Sequence, residues 1–408
     1  MLPIIEIPPV ISHISSAFTP FFNKCQIKHF REYTTGLIVS ENTTIDSMNR
    51  LFINGNDQSS LNKFLTRSDW NEADVNEKRL ELLQQKKKTQ YKPHGIIALD
   101  DSLLHKTGEN IEGVEIFYDH SSGEYMLGHN IVTAHYIDDQ TNYPVDYRLY
   151  HKKGGEWAER AGFKTKIELA MELIRYCIEM EIPVKIFEFD SWFLCREIAE
   201  LLREHGKVFV CPVKKDRHVQ WDGPYIRLED IAPLIKESEF EKIKLGKATY
   251  LAYSRVVKIS KIGKVRLAVS YELDDNGNKK HDAPKYFVTN MLDWDAKKVL
   301  KTYHKRWGIE TFYRDAKQEL GLEDYQVRKL NAIRRHWHLI FVAYSLLKLG
   351  AGQGGLGRWV NAKTIGQMCT NVIMDSICSF VKWIFEKADN GVRISEVMET
   401  LTLKIAKV

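Results

Sequence analysis

One segment, Tyr303-His-Lys-Arg306-Trp307-Gly-Ile-Glu310-Thr-Phe-Tyr-Arg314-Asp-Ala-Lys317, sets an acid among cations at helical spacing. On an α-helix turning about 100° per residue, Arg306, Glu310, Arg314 and Lys317 all project within about 60° of Tyr303. Ile309, Phe312, Ala316 and Leu320 fall on a separate face, suited to pack on a sheet. A charged stripe is in most helices only a solvated surface. Trp307 argues for more, because a large aromatic among cations supplies what a stacked nucleobase needs.

Two aspartates share another pattern. Asp100 follows the apolar run Ile96-Ile97-Ala98-Leu99, and Asp190 follows Val184-Lys185-Ile186-Phe187-Glu188-Phe189, so both are expected at the carboxyl ends of strands. In open α/β sheets ligands bind in the crevice at those ends, and paired carboxylates there suit a hard cation. A strand-end aspartate also serves as a helix N-cap, a reading open to Asp190 before SWFLCREIAELL. Asp101 is the alternative first aspartate; the end of the apolar run favours Asp100. With Glu310, the two aspartates supply the oxygen donors that two-metal phosphodiester chemistry uses.

The surrounding pattern predicts an α/β chain that positions these residues. Residues 1–92 read as a helical N-terminal domain, with TTIDSMNRLFI and SSLNKFLTRSDW at helical period and Thr or Ser as N-caps. Its closing run contains Lys86, Lys87 and Lys88, read as a solvated linker before Pro93. Over 93–213, IIALDDS, HNIVTAHYID and YPVDYRLY read as strands. A helix at about 164–181, the strand PVKIFEFD, a helix at about 192–205 and the strand KVFVCPV follow, predicting a mixed sheet covered on both faces. Over 214–290, ATYLAYSRVVKI, KVRLAVSYEL and KYFVTNM form a β-rich insertion with no helix to cover it. The core resumes over 291–348 with a long helix at about 295–320 and another from near Asn331. A C-terminal region, 349–408, opens with AGQGGLG and returns to helix.

Composition sets outer bounds. A chain of 408 residues exceeds one ordinary domain, and 44% hydrophobic with 28% charged residues is globular. The net charge of +5 permits a polyanionic partner without demanding one. The six cysteines have no zinc-type spacing. His336 and His338 stand two apart on a helix and point away from each other, which speaks against a metal site. The N-terminus lacks the basic start of a signal peptide, and no uncharged apolar run reaches about 18 residues, so a cytoplasmic protein with no membrane partner is expected.

Tyr303, Arg306, Glu310 and Lys317 reproduce the spacing tyrosine, x2, arginine, x3, glutamate, x6, lysine. With ALDDSLLHKTG, FEFDSW and the N-terminal LNKFLTRSDW, the chain resembles, over about residues 40–345, the DDE transposases of bacterial and archaeal insertion sequences. The resemblance implies a ribonuclease H-like catalytic core with a β-strand insertion, flanked by helical N- and C-terminal regions. It implies that Asp100, Asp190 and Glu310 are catalytic and hold two Mg²⁺ ions, for which Mn²⁺ can substitute. Double-stranded DNA is the implied partner: terminal inverted repeats, with residues 1–92 as the DNA-binding domain, and target DNA attacked by the freed 3′ hydroxyl. Tyr303, Arg306 and Lys317 would bind phosphates and Trp307 a displaced base. Arg314, Arg328, Lys329, Arg334 and Arg335 extend the local cationic surface as further DNA-binding candidates. Two element ends call for two active sites, hence a homodimer in the paired-end complex, in the cytoplasm at the nucleoid. The alternatives are a ribonuclease H-like nuclease without strand transfer, or a transposase-derived DNA-binding protein without catalysis. Three convergent carboxylates, which repel phosphate, argue against the last.

Overall fold

The computed structural model describes residues 3–55, 57–350 and 361–405; the expected AGQGGLG break lies outside the described residues. Five helices come first: α1 (Pro9–Ser15), α2 (Lys24–Val39), α3 (Ile45–Leu51), α4 (Gln58–Thr66) and α5 (Glu72–Gln84). Their starts follow from capping chemistry. The Asn23 side chain accepts from the backbone of Cys25 and Gln26, and Gln26 answers in a capping box. Thr44 caps α3 as its sequence predicts, but α4 is capped by Asp57 rather than by a serine, since the carboxylate reaches the Ser60 N–H.

The strands and helices that follow are β1 (Ile96–His105), β2 (Glu115–Asp119), β3 (Glu124–Ile137), β4 (Asn142–Tyr150), α6 (Glu156–Ala161), α7 (Lys166–Glu179), β5 (Ile186–Phe189), α8 (Arg196–Glu204) and β6 (Val208–Pro212). The insertion supplies β7 (His218–Gln220), β8 (Tyr225–Arg227), β9 (Glu241–Leu245), β10 (Ala248–Ile259), β11 (Gly263–Leu273) and β12 (Lys285–Thr289). The chain ends with α9 (Ala296–Tyr303), α10 (Trp307–Glu319), α11 (Leu330–Gly350), α12 (Ile365–Asp389) and α13 (Ile394–Ile405).

These elements form two compact units that do not follow chain order. One comprises Met1–Gln90, Leu103–His129 and Thr311–Val408; the other comprises Tyr91–Ser102 and Asn130–Glu310. In the first, α11 is the central helix: Ile333, Trp337 and Ile340 are fully buried. His336 is clamped between the Tyr33 hydroxyl at 2.8 Å and the Gly321 carbonyl at 3.0 Å. Burial holds its pKa down to about 3, so this histidine is a neutral core residue. Helix α12 is long and apolar enough to cross a membrane by length and composition, although it carries Asp375 and Lys382 and buries Met368, Cys369 and Val372.

In the second unit the strand order is β4-β3-β1-β5-β6-β12-β11-β10-β7-β8, with β9 on β10. β1, β5 and β6 are parallel, and β3 pairs antiparallel with β4. The first five strands make the mixed sheet of a ribonuclease H-like core. The insertion is no separate layer, because β12 pairs with β6 (Val288↔Cys211) and extends the same sheet.

Three expectations change. The insertion does have a covering helix: Ala296, Val299 and Leu300 of α9 pack with Val210, Ile243, Tyr250, Ala252, Ala268 and Phe287. The long helix expected at 295–320 is broken by a 3₁₀ turn, His304–Arg306. While α9 lies on the insertion strands, the start of α10 is seated on β3 and β4. A Cβ on Gly308 would meet Ile137 at 2.9 Å, and Asn142 donates to the Gly308 carbonyl. One straight helix does not serve both surfaces. The helix expected from about 192 starts at Arg196, because Asp190 first caps a 3₁₀ turn, Ser191–Phe193.

Candidate active site

The site starts from the register of two buried strands. β1 and β5 pair as Ile96↔Ile186 through Leu99↔Phe189. Asp100 and Asp190 are the next residues on each, so they stand level on adjoining parallel strands and leave the same face. β1 itself continues to His105, so Asp100 ends not the strand but its pairing with β5. Beyond that point the lost partner opens the crevice in which a carboxylate can be tolerated.

Asp101, one residue on, serves a different contact: its Oδ2 accepts from Lys166 Nζ at 2.6 Å and from Asn130 Nδ2 at 3.4 Å. Lys166 opens α7, whose start is fixed by the Thr165–Glu168 capping box. The alternation of side chains along a strand thus separates the two aspartates.

Arg306 is the hub. Its Nη1 donates to Asp100 Oδ2 at 2.7 Å, its Nη2 to Glu310 Oε1 at 3.2 Å and its Nε to the Tyr303 hydroxyl at 3.2 Å. The 3₁₀ turn favours this, because side chains three apart nearly eclipse there. Asp100 Oδ1 accepts the Asp101 N–H at 3.0 Å, and Asp190 Oδ1 accepts the Ser191 N–H at 2.6 Å, so Asp190 does act as a cap. Burial pushes the Asp100 carboxyl up to about 6, with Arg306 pulling the other way and Asp101 adding to the rise. Burial also raises Tyr303 to about 12. Arg306 is held above its ordinary value: burial works against its charge, but Asp100 and Tyr303 together outweigh it.

Glu188, unremarked in the sequence because it lies inside a strand, is fully buried, and neither of its oxygens has a hydrogen-bond partner. Burial pushes its carboxyl well above the ordinary range, against the nearby charges of Arg306 and Lys305. The signal was an acid between two phenylalanines. Lys305 pairs with Asp139 at 3.1 Å and donates to the His94 carbonyl, which fixes the turn that carries Arg306.

A cleft of about 570 Å³ adjoins Arg306 and Glu310 and extends along Tyr303, Trp307, Tyr250 and Lys285. Trp307 is 65% exposed. The remaining DNA-binding candidates belong to the other unit. There Arg314 is exposed and pairs with Asp315, and Lys317 pairs with Glu323 at 2.6 Å and donates to the Leu103 carbonyl. Arg328, Lys329 and Arg334 are exposed, with Lys329 paired to Glu112. Arg335 corrects an expectation: it is buried, its guanidinium donates to the carbonyls of Leu65 and Trp70, and it lies over the Trp70 ring. It holds the helical unit together instead of facing phosphate.

Among the described residues, no three His, Cys, Asp or Glu side chains stand close enough together to hold one ion. The cation shared by Asp100 and Glu310 is the Arg306 guanidinium. Asp100 and Glu310 are the carboxylates brought together here, and their oxygens are of the donor type a hard divalent ion takes; Asp190 stands level with Asp100 on the next strand without joining them.

A family model described as DDE superfamily endonuclease matches residues 17–227, just over half the chain. The match takes in Asp100 and Asp190 and ends before Glu310. No curated protein matches the chain.

Proposed function

The chain belongs to the DDE superfamily of endonucleases, and on that premise we propose that it is the transposase of a prokaryotic insertion sequence. It binds the terminal inverted repeats, cleaves the element's ends and joins the freed 3′ ends to target DNA. The observation that carries this reading is Arg306 held by both Asp100 and Glu310, with Asp190 level with Asp100 on the next strand. Asp100, Asp190 and Glu310 would hold two Mg²⁺ ions, or Mn²⁺ in their place. Bound there, the ions would supply Lewis acidity to the attacking and leaving oxygens of the phosphodiester.

The chain's own side chains do the rest. Arg306 keeps two neighbouring carboxylates from repelling each other and offers a fork suited to phosphate. Tyr303 orients that fork through its hydroxyl, and Lys317 adds a second phosphate contact. Trp307, exposed at the cleft, stacks on a displaced base. Arg314, Arg328, Lys329 and Arg334 hold the DNA backbone, and the N-terminal helices recognise the repeats. Two ends require two active sites, so the working assembly is a two-fold dimer on paired ends, acting in the cytoplasm.

The test is a labelled-end cleavage and joining assay in Mg²⁺ beside a gel shift. Asp100→Asn, Asp190→Asn and Glu310→Gln are expected to lose cleavage and joining by orders of magnitude while DNA binding persists. Asp101→Asn should be milder, since its carboxylate faces Lys166. Near-normal cleavage by Glu310→Gln would refute the assignment. Cleavage without any joined product would instead identify a nuclease.

A further inference from the structure

Two residues beyond Asp190 the chain places a second exposed indole. Trp192 is 58% exposed, whereas its neighbours Phe193 and Leu194 are buried to 0% and 1%. The 3₁₀ turn that carries it begins at Asp190, whose side chain and carbonyl accept from Ser191 and Phe193 respectively. The turn is therefore anchored through its apolar residues and its cap while Trp192 alone is turned outward. Exposure of one ring is ordinary on a protein surface; what sets Trp192 apart is its anchored turn and the charge placed on its face.

A cation stands over it. The Lys214 ammonium lies 4.9 Å from the Trp192 ring centroid. Lys214 is exposed, and among the described residues no carboxylate pairs with it. Its loop is fixed at the backbone: Val213 N donates to Tyr286 O, Arg217 N to Lys214 O, Leu228 N to Arg217 O and Glu229 N to Lys215 O. The Arg217 guanidinium then ties this loop to the turn by donating to the Leu194 carbonyl. Lys215, the next residue, lines the same cleft as Arg306, Trp307 and Glu310. A stacking surface on the turn that follows Asp190 and an ammonium next in the chain to a cleft-lining lysine are thus held by the backbone around them.

We propose that Trp192 and Lys214 form a binding site for an unpaired nucleotide of DNA, the base stacking on the indole and the ammonium taking the adjoining phosphate. This rests on the proposed reading that the chain acts on DNA. The chemistry selects single-stranded over paired DNA, because a base offers its face to a ring only when it has left the duplex. Selection by sequence is not expected, since every base has such a face. Lys214 also restricts the indole before DNA arrives, which lowers the ordering cost of stacking.

The experiment measures binding alone, without metal, so cleavage does not enter. Fluorescence anisotropy compares the full chain on a blunt duplex and on the same duplex carrying an oligo(dT) tail, for the unmodified protein, Trp192→Ala, Trp192→Phe and Lys214→Gln. The unmodified chain is expected to prefer the tailed duplex. Trp192→Ala should lose that preference by about tenfold with blunt-duplex affinity unchanged. Trp192→Phe, which keeps a ring and guards against a folding artefact, should retain most of it. Lys214→Gln should lower the salt slope for the tailed duplex by about one. The proposal is overturned if Trp192→Ala keeps the preference, if it weakens both duplexes equally, or if the unmodified chain shows no preference. Failure of the unmodified chain to bind either DNA would overturn the transposase reading as well.

Discussion

Asp100 carries opposing demands: it is largely buried, acidic and bound to a cation. Its carboxyl titrates at about 6 in the folded chain against an ordinary 3.8, so folding disfavours its ionised form. Below about pH 3 both states are protonated and the residue is neutral to stability; the penalty grows as pH rises through about 4 and is complete above about 6. Asp100→Asn is therefore expected to stabilise the metal-free protein near pH 8 by about 2–3 kcal/mol and to leave it unchanged near pH 3. Urea unfolding at the two pH values checks this, and an equal gain at both would contradict the burial argument. Arg306 supplies the complementary case. It occupies Asp100 Oδ2 and Glu310 Oε1, the oxygens a divalent ion would need. Arg306→Gln removes a competing cation, so Mn²⁺ should bind about tenfold tighter, roughly 1.4 kcal/mol, while end cleavage falls because the phosphate fork is gone. Mn²⁺ titration followed by electron paramagnetic resonance separates the two effects; unchanged Mn²⁺ affinity would mean that Arg306 does not compete.

Elements explain why these side chains meet, and the 3₁₀ turn before α10 is the sensitive joint. Gly308 has no room for a methyl: a Cβ there would lie 2.9–3.1 Å from three Ile137 atoms. Gly308→Ala is expected to cost about 1–3 kcal/mol by overpacking and to reduce cleavage by displacing Arg306 and Glu310 on either side. Adding Ile137→Ala, which removes all three contacting atoms, should recover part of the cleavage rate and cost less stability than the two single losses added together. A thermal melt and a cleavage rate for the single and double variants provide the test, and additive losses would deny the contact its role. Much of this was legible beforehand. The apolar runs ending at Leu99 and Phe189 give the paired strands, and the spacing from Tyr303 to Glu310 puts Arg306 beside its acid. The turn at His304–Arg306 was not legible, because it arises from two packing surfaces distant in sequence, the insertion strands under α9 and Ile137 under α10. For the same reason α9 was not recognised as the cover of the insertion. Glu188 escaped notice because a strand conceals which of its acids are turned into the interior.

At the scale of the molecule, charge decides how the chain meets DNA, and exposure decides which charges take part. The net charge is only +5, so affinity must come from local groups. Arg314, Arg328, Lys329 and Arg334 are exposed cations of the helical unit, and Arg335 next to them is not. The sequence presents Arg334 and Arg335 as equals; burial separates them, since α11 turns one outward and the other onto the carbonyls of Leu65 and Trp70. Affinity for duplex DNA is expected to fall steeply with salt, with a log-log slope of about −0.9 for each phosphate neutralised. Arg328→Ala and Arg334→Ala should each reduce the slope by about one. Arg335→Ala should leave the slope unchanged and instead destabilise the fold by about 2–4 kcal/mol, because two buried carbonyls lose their donor and the Trp70 face loses its cation. Anisotropy across a salt series, paired with thermal melts, distinguishes the classes. A reduced slope in a normally stable Arg335→Ala protein would show that this guanidinium reaches DNA after all, and a flat salt response in the unmodified chain would remove the electrostatic basis for binding.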